Sequence, residues 1–363
     1  MKIPYVNLEA QWKEDEKELK PILLNILKKG QYIGGDEINE FEKKICKICG
    51  TKYAVALNSG TDALTLGLYL LGVKRGDEVI TPPNSFISST SSIVHIGAKP
   101  VFVDVLKDQN INPELIERAI TKKTKAIMPV HLTGRIAEMN SIIKISKKYK
   151  IPIIEDAAQS IGSKYYGKKS GSFGSIGCFS AHPLKNLNGI GDGGFLTTNN
   201  FSFYKKAIML RNHGQSERNI VKHFGYLSRM DTLQAAVLNF RIKKLNKIIE
   251  ARRENADYYF KNIDENKYLL PREKKFQFNS YHTFVIQTKK RDKIIKYLKK
   301  NGIQTAIHYP VPIHLQPASK FLGYEKGSFP ETEKQSREIL TLPIHQNLTK
   351  KELSKIVKTL NNY

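Results

Sequence analysis

Lys185 stands in the run Phe179-Ser180-Ala181-His182-Pro183-Leu184-Lys185-Asn186, with Gly189-Ile190-Gly191-Asp192-Gly193-Gly194 after it and Glu155-Asp156-Ala157-Ala158-Gln159 before it. A primary amine condenses with an aldehyde once it sheds its proton, and a lysine shielded from water sheds it more readily than one on the surface. Lys185 falls between an apolar run and a glycine turn, where backbone can approach a planar ring closely. Asp156, 29 residues earlier, ends the run Ile151-Pro152-Ile153-Ile154-Glu155, and parallel sheets place their ligands at that end of a strand. A carboxylate there can keep a pyridine nitrogen protonated, which makes the ring an electron sink. Lysine and aspartate together point to a Schiff base with a pyridoxal ring. Taken singly, a loop lysine would be solvated and the aspartate a helix cap.

A pyridoxal cofactor also needs a seat for its phosphate. Asn58-Ser59-Gly60-Thr61-Asp62-Ala63-Leu64 offers one, because a glycine and threonine at a helix start leave free N–H groups facing an anion. The run Gly189–Gly194 matches a dinucleotide fingerprint in spacing only. Phe195-Leu196-Thr197-Thr198 behind it reads as a strand, whereas that fingerprint must open a helix. Cys46 and Cys49 are spaced as C-x-x-C on a helical pattern, without a second ligand pair, so they are expected on a helix face and no metal site is expected.

The elements that must position these groups follow from periodicity. Strands are expected at Tyr53–Leu57, Glu78–Thr81, Lys99–Val103, Thr124–Pro129, Ile151–Asp156, Ile176–Phe179 and Gly194–Thr197. Helices are expected at Thr61–Leu71, Ser88–Ile96, Pro113–Ile120 and Glu138–Tyr149. This alternation predicts an α/β domain with a mostly parallel sheet. Leu238, Ile242, Leu245 and Ile249 predict one long helix over Thr232–Phe260. Beyond it, strands at Tyr281–Thr288 and Gln304–Ile307 and helices at Arg291–Asn301 and Lys350–Leu360 predict a smaller α+β domain. The expected division is a large domain with an N-terminal arm over residues 1–240 and a small one over 241–363.

With 363 residues, the chain exceeds what one hydrophobic core usually serves. A formal charge of +25 raises nucleic acid, acidic membranes and anionic substrates as partners. The lysines are dispersed and not interleaved with aromatics, so neither nucleic acid nor membrane is expected. Three cysteines cannot all pair, and Met-Lys-Ile-Pro-Tyr-Val lacks the apolar run of a secretion signal, so a cytoplasmic location is expected.

The ordered set resembles the DegT/DnrJ/EryC1/StrS family of sugar aminotransferases, fold-type I enzymes dependent on pyridoxal 5'-phosphate. It runs from Ile33-Gly34-Gly35 and Phe41-Glu42 through the segments above to Arg229-Met230 and Gln234-Ala235-Ala236. The resemblance implies that Lys185 carries the cofactor and shuttles a proton, that Asp156 pairs with the ring nitrogen and that Gln159 bonds the ring hydroxyl. It implies that Phe86 and Ala158 flank the ring, and that Gly60, Thr61 and Ser180 hold the phosphate. It further implies a homodimer with shared active sites. Where the family commonly has Gly-Tyr-Asn before Arg-Met, with the asparagine reaching the neighbouring subunit's phosphate, this chain has Gly225-Tyr226-Leu227-Ser228. Arg135 replaces a small or neutral residue and is a candidate for altered substrate recognition.

His308-Tyr309-Pro310 resembles members acting on nucleotide-linked 3-keto-6-deoxyhexoses, which makes His308, Tyr309 and nearby His314 candidate substrate contacts. The expected reaction is transfer of an amino group from L-glutamate to a nucleotide-linked ketosugar. Two rivals are a pyridoxal-dependent sugar dehydratase and a non-catalytic regulator that keeps the fold. An intact Lys185, Asp156 and Gln159 count against the regulator.

Overall fold

Strands that lie parallel must be joined by crossovers, and here the crossovers are helices that cover both faces of the sheet. The computed structural model describes residues 1–363. Helices α1 (Leu8–Lys29) and α2 (Asp36–Cys49) precede strand β1 (Tyr53–Leu57). The chain then alternates through α3 (Gly60–Leu70), β2 (Glu78–Thr81), α4 (Ile87–His95), β3 (Lys99–Phe102), α5 (Pro113–Ala119), β4 (Thr124–Ile127), α6 (Met139–Tyr149) and β5 (Ile154–Asp156). Short β6 (Lys164–Tyr165) and β7 (Lys168–Lys169) lead to β8 (Ile176–Ser180), β9 (Gly194–Thr198), α7 (Phe201–Leu210) and the hairpin of β10 (Gln215–Glu217) and β11 (Ile220–Val221). After α8 (Thr232–Ile242) and α9 (Leu245–Asn262) come β12 (Gln277–Phe278), β13 (Phe284–Gln287), α10 (Arg291–Lys300), α11 (Pro330–Glu338), β14 (Ile339–Leu342) and α12 (Lys350–Asn361).

One set of paired strands runs β1-β9-β8-β5 and another β3-β2-β4. Parallel bridges Ile127–Ile153 and Val130–Asp156 join β4 to β5, so the strands form one continuous order, β3-β2-β4-β5-β8-β9-β1. Only β9 runs against its neighbours. Its antiparallel course spares the chain a crossover after β8, and the connecting turn carries Lys185 at the carboxyl end of the sheet.

Alternation sorts each strand's side chains. Val55, Leu57, Cys178 and Leu196 face the core beneath α3 with Leu64 and Leu68, whereas Ala54, Ala56, Phe179 and Phe195 face α2 with Phe41 and Ile45. Phe179 stacks on Phe195 with ring centroids 4.7 Å apart, and Phe41 meets Phe195 edge-on. Each such buried side chain contributes about 1.5–3 kcal/mol. Cys49 belongs to this core, Cys46 lies partly against it, and burial pushes both thiols' pKa up.

A second core gathers Ile3 with residues of α9, β13, α10, β14 and α12. Helix α9 serves both: Leu245 and Ile249 pack under the large sheet, and Ala256 and Tyr259 pack in the small core. The expected single helix over Thr232–Phe260 is two, broken at Lys243 and Lys244. Their N–H groups bond carbonyls three residues back, at Phe240 and Arg241, and the Lys244 amine pairs with Asp15 of α1 at 2.9 Å. A tight turn keeps the apolar stripe nearly in phase, so periodicity does not register it. Helix α1 was not anticipated because charged residues surround it; its buried Asp15 also pairs with Arg241 at 3.0 Å. The expected strand at Gln304–Ile307 is a single bridge, Ala306–Thr341. Pairing stops there because the chain turns away toward His308. No helix is long and apolar enough to cross a membrane.

Glu155 anchors the sheet's carboxyl end. Fully buried, it accepts the Phe173 and Gly174 N–H groups at 2.7 Å each, the Gly171 N–H at 2.8 Å, and faces His131 Nε2 at 2.9 Å. Glu155→Ala leaves these donors unpaired and should cost about 3–5 kcal/mol in urea unfolding. A loss below about 1 kcal/mol would mean that water replaces the carboxylate.

Candidate active site

The ends of β1, β5 and β8 open onto one cavity of about 290 Å³. After β1, Ser59 caps α3: its hydroxyl accepts the Asp62 N–H and its carbonyl the Ala63 N–H, both at 3.1 Å. The Gly60 and Thr61 N–H groups precede Ala63, the first N–H to donate within the helix, and keep the helix's positive end available to an anion. Glycine is required here, since a Cβ at Gly60 would stand 2.8 Å from Ser180 Cβ, and one at Gly194 would collide with the Ser59 backbone. The Thr61 hydroxyl donates to Ser88 at 2.9 Å, and the Ser180 hydroxyl accepts the His182 N–H at 3.3 Å. Two hydroxyls and a helix start therefore meet at the junction of α3 with β8.

Asp156, buried at the end of β5, accepts the Ser89 hydroxyl at 2.6 Å and the Ala158 N–H at 3.2 Å. Both donors orient it. Gln159 Oε1 accepts the Thr133 N–H at 2.7 Å, which settles the amide's orientation and directs its NH2 toward Tyr309 Oη at 3.4 Å. Thr133 holds that N–H in place with φ at 64°, a conformation costly for a β-branched residue. Phe86, 54 % exposed, presents its ring to the cavity 5.9 Å from the Tyr309 ring, and Ala158 also lines the space.

Lys185 enters from the turn between β8 and β9, its own N–H bonded to the His182 carbonyl at 2.8 Å. Burial pulls its amine down to about 8 against the opposing attraction of Asp156. At pH 7 about a tenth of such a group is free amine, and the free fraction climbs toward a plateau above the pKa. Aldehyde capture by cofactor-free protein should therefore accelerate up to about pH 8 and then level off, as stopped-flow absorbance with pyridoxal phosphate would record. A rate still climbing at about pH 10 would mark an ordinary solvated lysine.

The opposite wall comes from the N-terminal segment and the small core. His308 Nδ1 lies 2.9 Å from the Thr341 hydroxyl, and burial together with the Lys185 charge lowers its pKa to about 4, leaving it uncharged at neutral pH. Burial and Asp156 push the Tyr309 phenol up. Gly60, Thr61, Phe86, Asp156, Ala158, Gln159, Ser180, Lys185, His308 and Tyr309 thus share one cavity. His314 does not join them. Pro312 turns the chain into a short helical turn, where His314 is buried against Phe329 and 3.1 Å from Glu333 Oε1. Arg135 is also away from the cavity, buried and donating to the Pro271 and Arg272 carbonyls at 2.5 and 3.1 Å. It braces the chain beyond α9 in place of meeting substrate.

Tyr5, Arg252, His282 and His345 line the cavity without having been anticipated, and Ser89 supports Asp156 from behind. Arg252 alone left a legible signal: it interrupts the buried stripe Leu245, Ile249, Ala256, Tyr259 of α9. Tyr5 had none, since Gln304, whose side-chain oxygen accepts its backbone N–H, is 299 residues away.

Comparison with known proteins gives this geometry a family. The model of the DegT/DnrJ/EryC1/StrS aminotransferase family matches residues 13–361. The dTDP-3-amino-3,6-dideoxy-alpha-D-galactopyranose transaminase of Aneurinibacillus thermoaerophilus is 39% identical over 364 residues, covering 99% of each chain. A pleiotropic regulatory protein of Geobacillus stearothermophilus is 36% identical over 367 residues, covering 100% of this chain and 99% of that one. The solved DesV of S. venezuelae, in complex with a ketimine intermediate, superposes with a TM-score of 0.97 at 35% identity, covering 99% of this chain and 98% of that one. Other solved relatives hold the cofactor as pyridoxal or pyridoxamine phosphate. The residues here fit that group: a desolvated amine, a fixed carboxylate and an amide donor face a glycine-lined helix end. The chain belongs to the DegT/DnrJ/EryC1/StrS aminotransferase family, with the fold-type I architecture and pyridoxal phosphate as its cofactor.

Proposed function

We propose that this chain transfers the amino group of L-glutamate to a ketosugar carried on a nucleotide diphosphate, the acceptor being a dTDP-3-keto-6-deoxyhexose. The observation that carries the reading is the convergence of the half-buried Lys185 amine and the doubly hydrogen-bonded Asp156 carboxylate on one cavity. The acceptor class is supported by the named transaminase of 39% identity.

When bound, pyridoxal phosphate supplies a carbonyl that exchanges the amino group and a ring that draws electrons from the carbon losing its proton. Lys185 would hold it covalently at rest. Freed by the incoming donor, the Lys185 amine would take up the proton lost by the donor carbon and deliver it again, and would do the reverse for the sugar. Asp156 would keep the ring nitrogen protonated and Gln159 would donate its NH2 to the ring hydroxyl. Gly60, Thr61 and Ser180 would hold the phosphate, while Phe86 and Ala158 would flank the ring. Uncharged His308 and Tyr309 exchange hydrogen bonds with the sugar.

The working unit in this reading is a homodimer. Ile220, Val221, Phe224 and Leu227 are 49%, 54%, 100% and 57% exposed, an apolar surface that a second copy would cover. Leu227 cannot donate a hydrogen bond across such an interface, and the Ser228 hydroxyl already donates to Asn58 at 3.2 Å. Sedimentation should give a dimer's mass.

The test of the reaction is to supply the holoenzyme with L-glutamate and nucleotide-linked ketosugars and to follow 2-oxoglutarate and aminosugar together. Equal accumulation of both is expected, with ping-pong kinetics. Loss of a sugar hydroxyl without 2-oxoglutarate would make the enzyme a dehydratase, and no turnover of either kind would favour a regulator.

A further inference from the structure

Three arginines are buried, and two of them have carboxylates: Arg241 meets Asp15 at 3.0 Å, and Arg135 has Asp108 at 3.9 Å. Arg252 has none. Its guanidinium reaches only neutral acceptors, the carbonyls of Tyr281 at 3.2 Å and His282 at 3.1 Å and the Gln346 side chain at 3.3 Å, and its Nε is unpaired. A buried cation without a counter-ion is expensive, yet this one lines the reaction cavity.

We propose that Arg252, with the Tyr5 hydroxyl and His282 beside it, forms a subsite for the carboxylate of the amino donor. This rests on the aminotransferase reading above and adds to it where the donor is held. The wall bearing Arg252 contributes Tyr5, His282, His308, Tyr309 and His345 but no acidic residue; the cavity's carboxylates, Asp156 and Asp192, come from the large sheet's side. Burial and the nearby cations keep His282, His308 and His345 uncharged at neutral pH, so none competes for the anion as a second ion. Lys185, His282 and Arg252 line the same cavity, and Arg252 donates to the His282 carbonyl at 3.1 Å. An amino acid carries its carboxylate on the very carbon whose amine is exchanged, and a planar guanidinium matches it. A diphosphate is the other anion available, but it sits at the far end of a sugar from the reacting carbon of a 3-keto acceptor.

The test is calorimetric titration of holoenzyme with succinate, which cannot react, and with pyrophosphate. Cofactor content is measured by absorbance in each variant. Arg252→Gln should weaken succinate binding about 10- to 100-fold and leave pyrophosphate unchanged, with Arg252→Lys between. Tyr5→Phe removes one hydroxyl and little packing, and should weaken succinate about three- to tenfold even if Arg252→Gln does not fold. Unchanged succinate affinity in Tyr5→Phe and Arg252→Lys overturns the assignment, as does a loss confined to pyrophosphate. Succinate binding needs no turnover, so failure of L-glutamate as donor would refute the reaction without touching this result.

Discussion

Lys185→Ala should lower amino transfer by about 10⁴-fold or more, because it removes at once the covalent tether and the group that moves the proton. The variant should still bind pyridoxal phosphate through the phosphate seat and Asp156, but borohydride should fix no adduct to the protein by mass spectrometry. Thermal stability should not fall. The half-buried amine makes no hydrogen bond within the protein, and its partial burial disfavours the charged form, so its loss removes no stabilising contact. A substantial borohydride adduct in the variant would show that another lysine carries the cofactor.

Asp156→Asn tests the other half of the pair. Asparagine keeps the shape and an oxygen for Ser89, but it loses the charge that would hold the ring nitrogen protonated. The expected drop in kcat is about 10²- to 10³-fold, the scale set by removal of one preorganised electrostatic partner in an enclosed site. A second readout separates this from a mere loss of structure. Asp156 raises the Lys185 pKa against burial, so without it burial acts unopposed and the amine titrates below about 8. The pH profile of aldehyde capture by cofactor-free protein should therefore move to lower pH in this variant. A profile moved to higher pH, or an unchanged one, would mean that the two groups do not sense each other.

Both predictions concern residues that local chemistry singled out. Lys185 was separable from the other lysines because it alone follows an apolar strand and precedes a glycine turn, and Asp156 because it ends one. Gly60 was legible for the same kind of reason: its role is set by adjacent residues, a serine cap before it and a helix after it. The strands of the large sheet were equally plain, since crossover-linked parallel strands are buried on both faces and consist of apolar runs. Their spatial order was not, because the antiparallel insertion of β9 between β8 and β1 is a matter of pairing partners far apart in the chain.

Two expectations failed for physical reasons that particular residues explain. His314 shares a proline-rich run with His308, but Pro312 sends it into a helical turn against Phe329 and Glu333. Proximity along the chain is a poor guide where prolines set the direction. Arg135, expected to alter substrate recognition, lies away from the cavity, because a buried guanidinium can be satisfied by carbonyls from a segment over a hundred residues on.

The amino-acid order alone was enough to single out Lys185 and Asp156 as an amine and a carboxylate suited to a carbonyl cofactor, because an amine, a carboxylate and a helix start announce themselves through their immediate neighbours. Folding added the rest of the cavity. Tyr5, Arg252, His282 and His345 reach it from both ends of the chain, and Gln159 is aimed by the backbone of Thr133. Such placements arise from packing between distant segments, where no residue's neighbours in the chain carry the information.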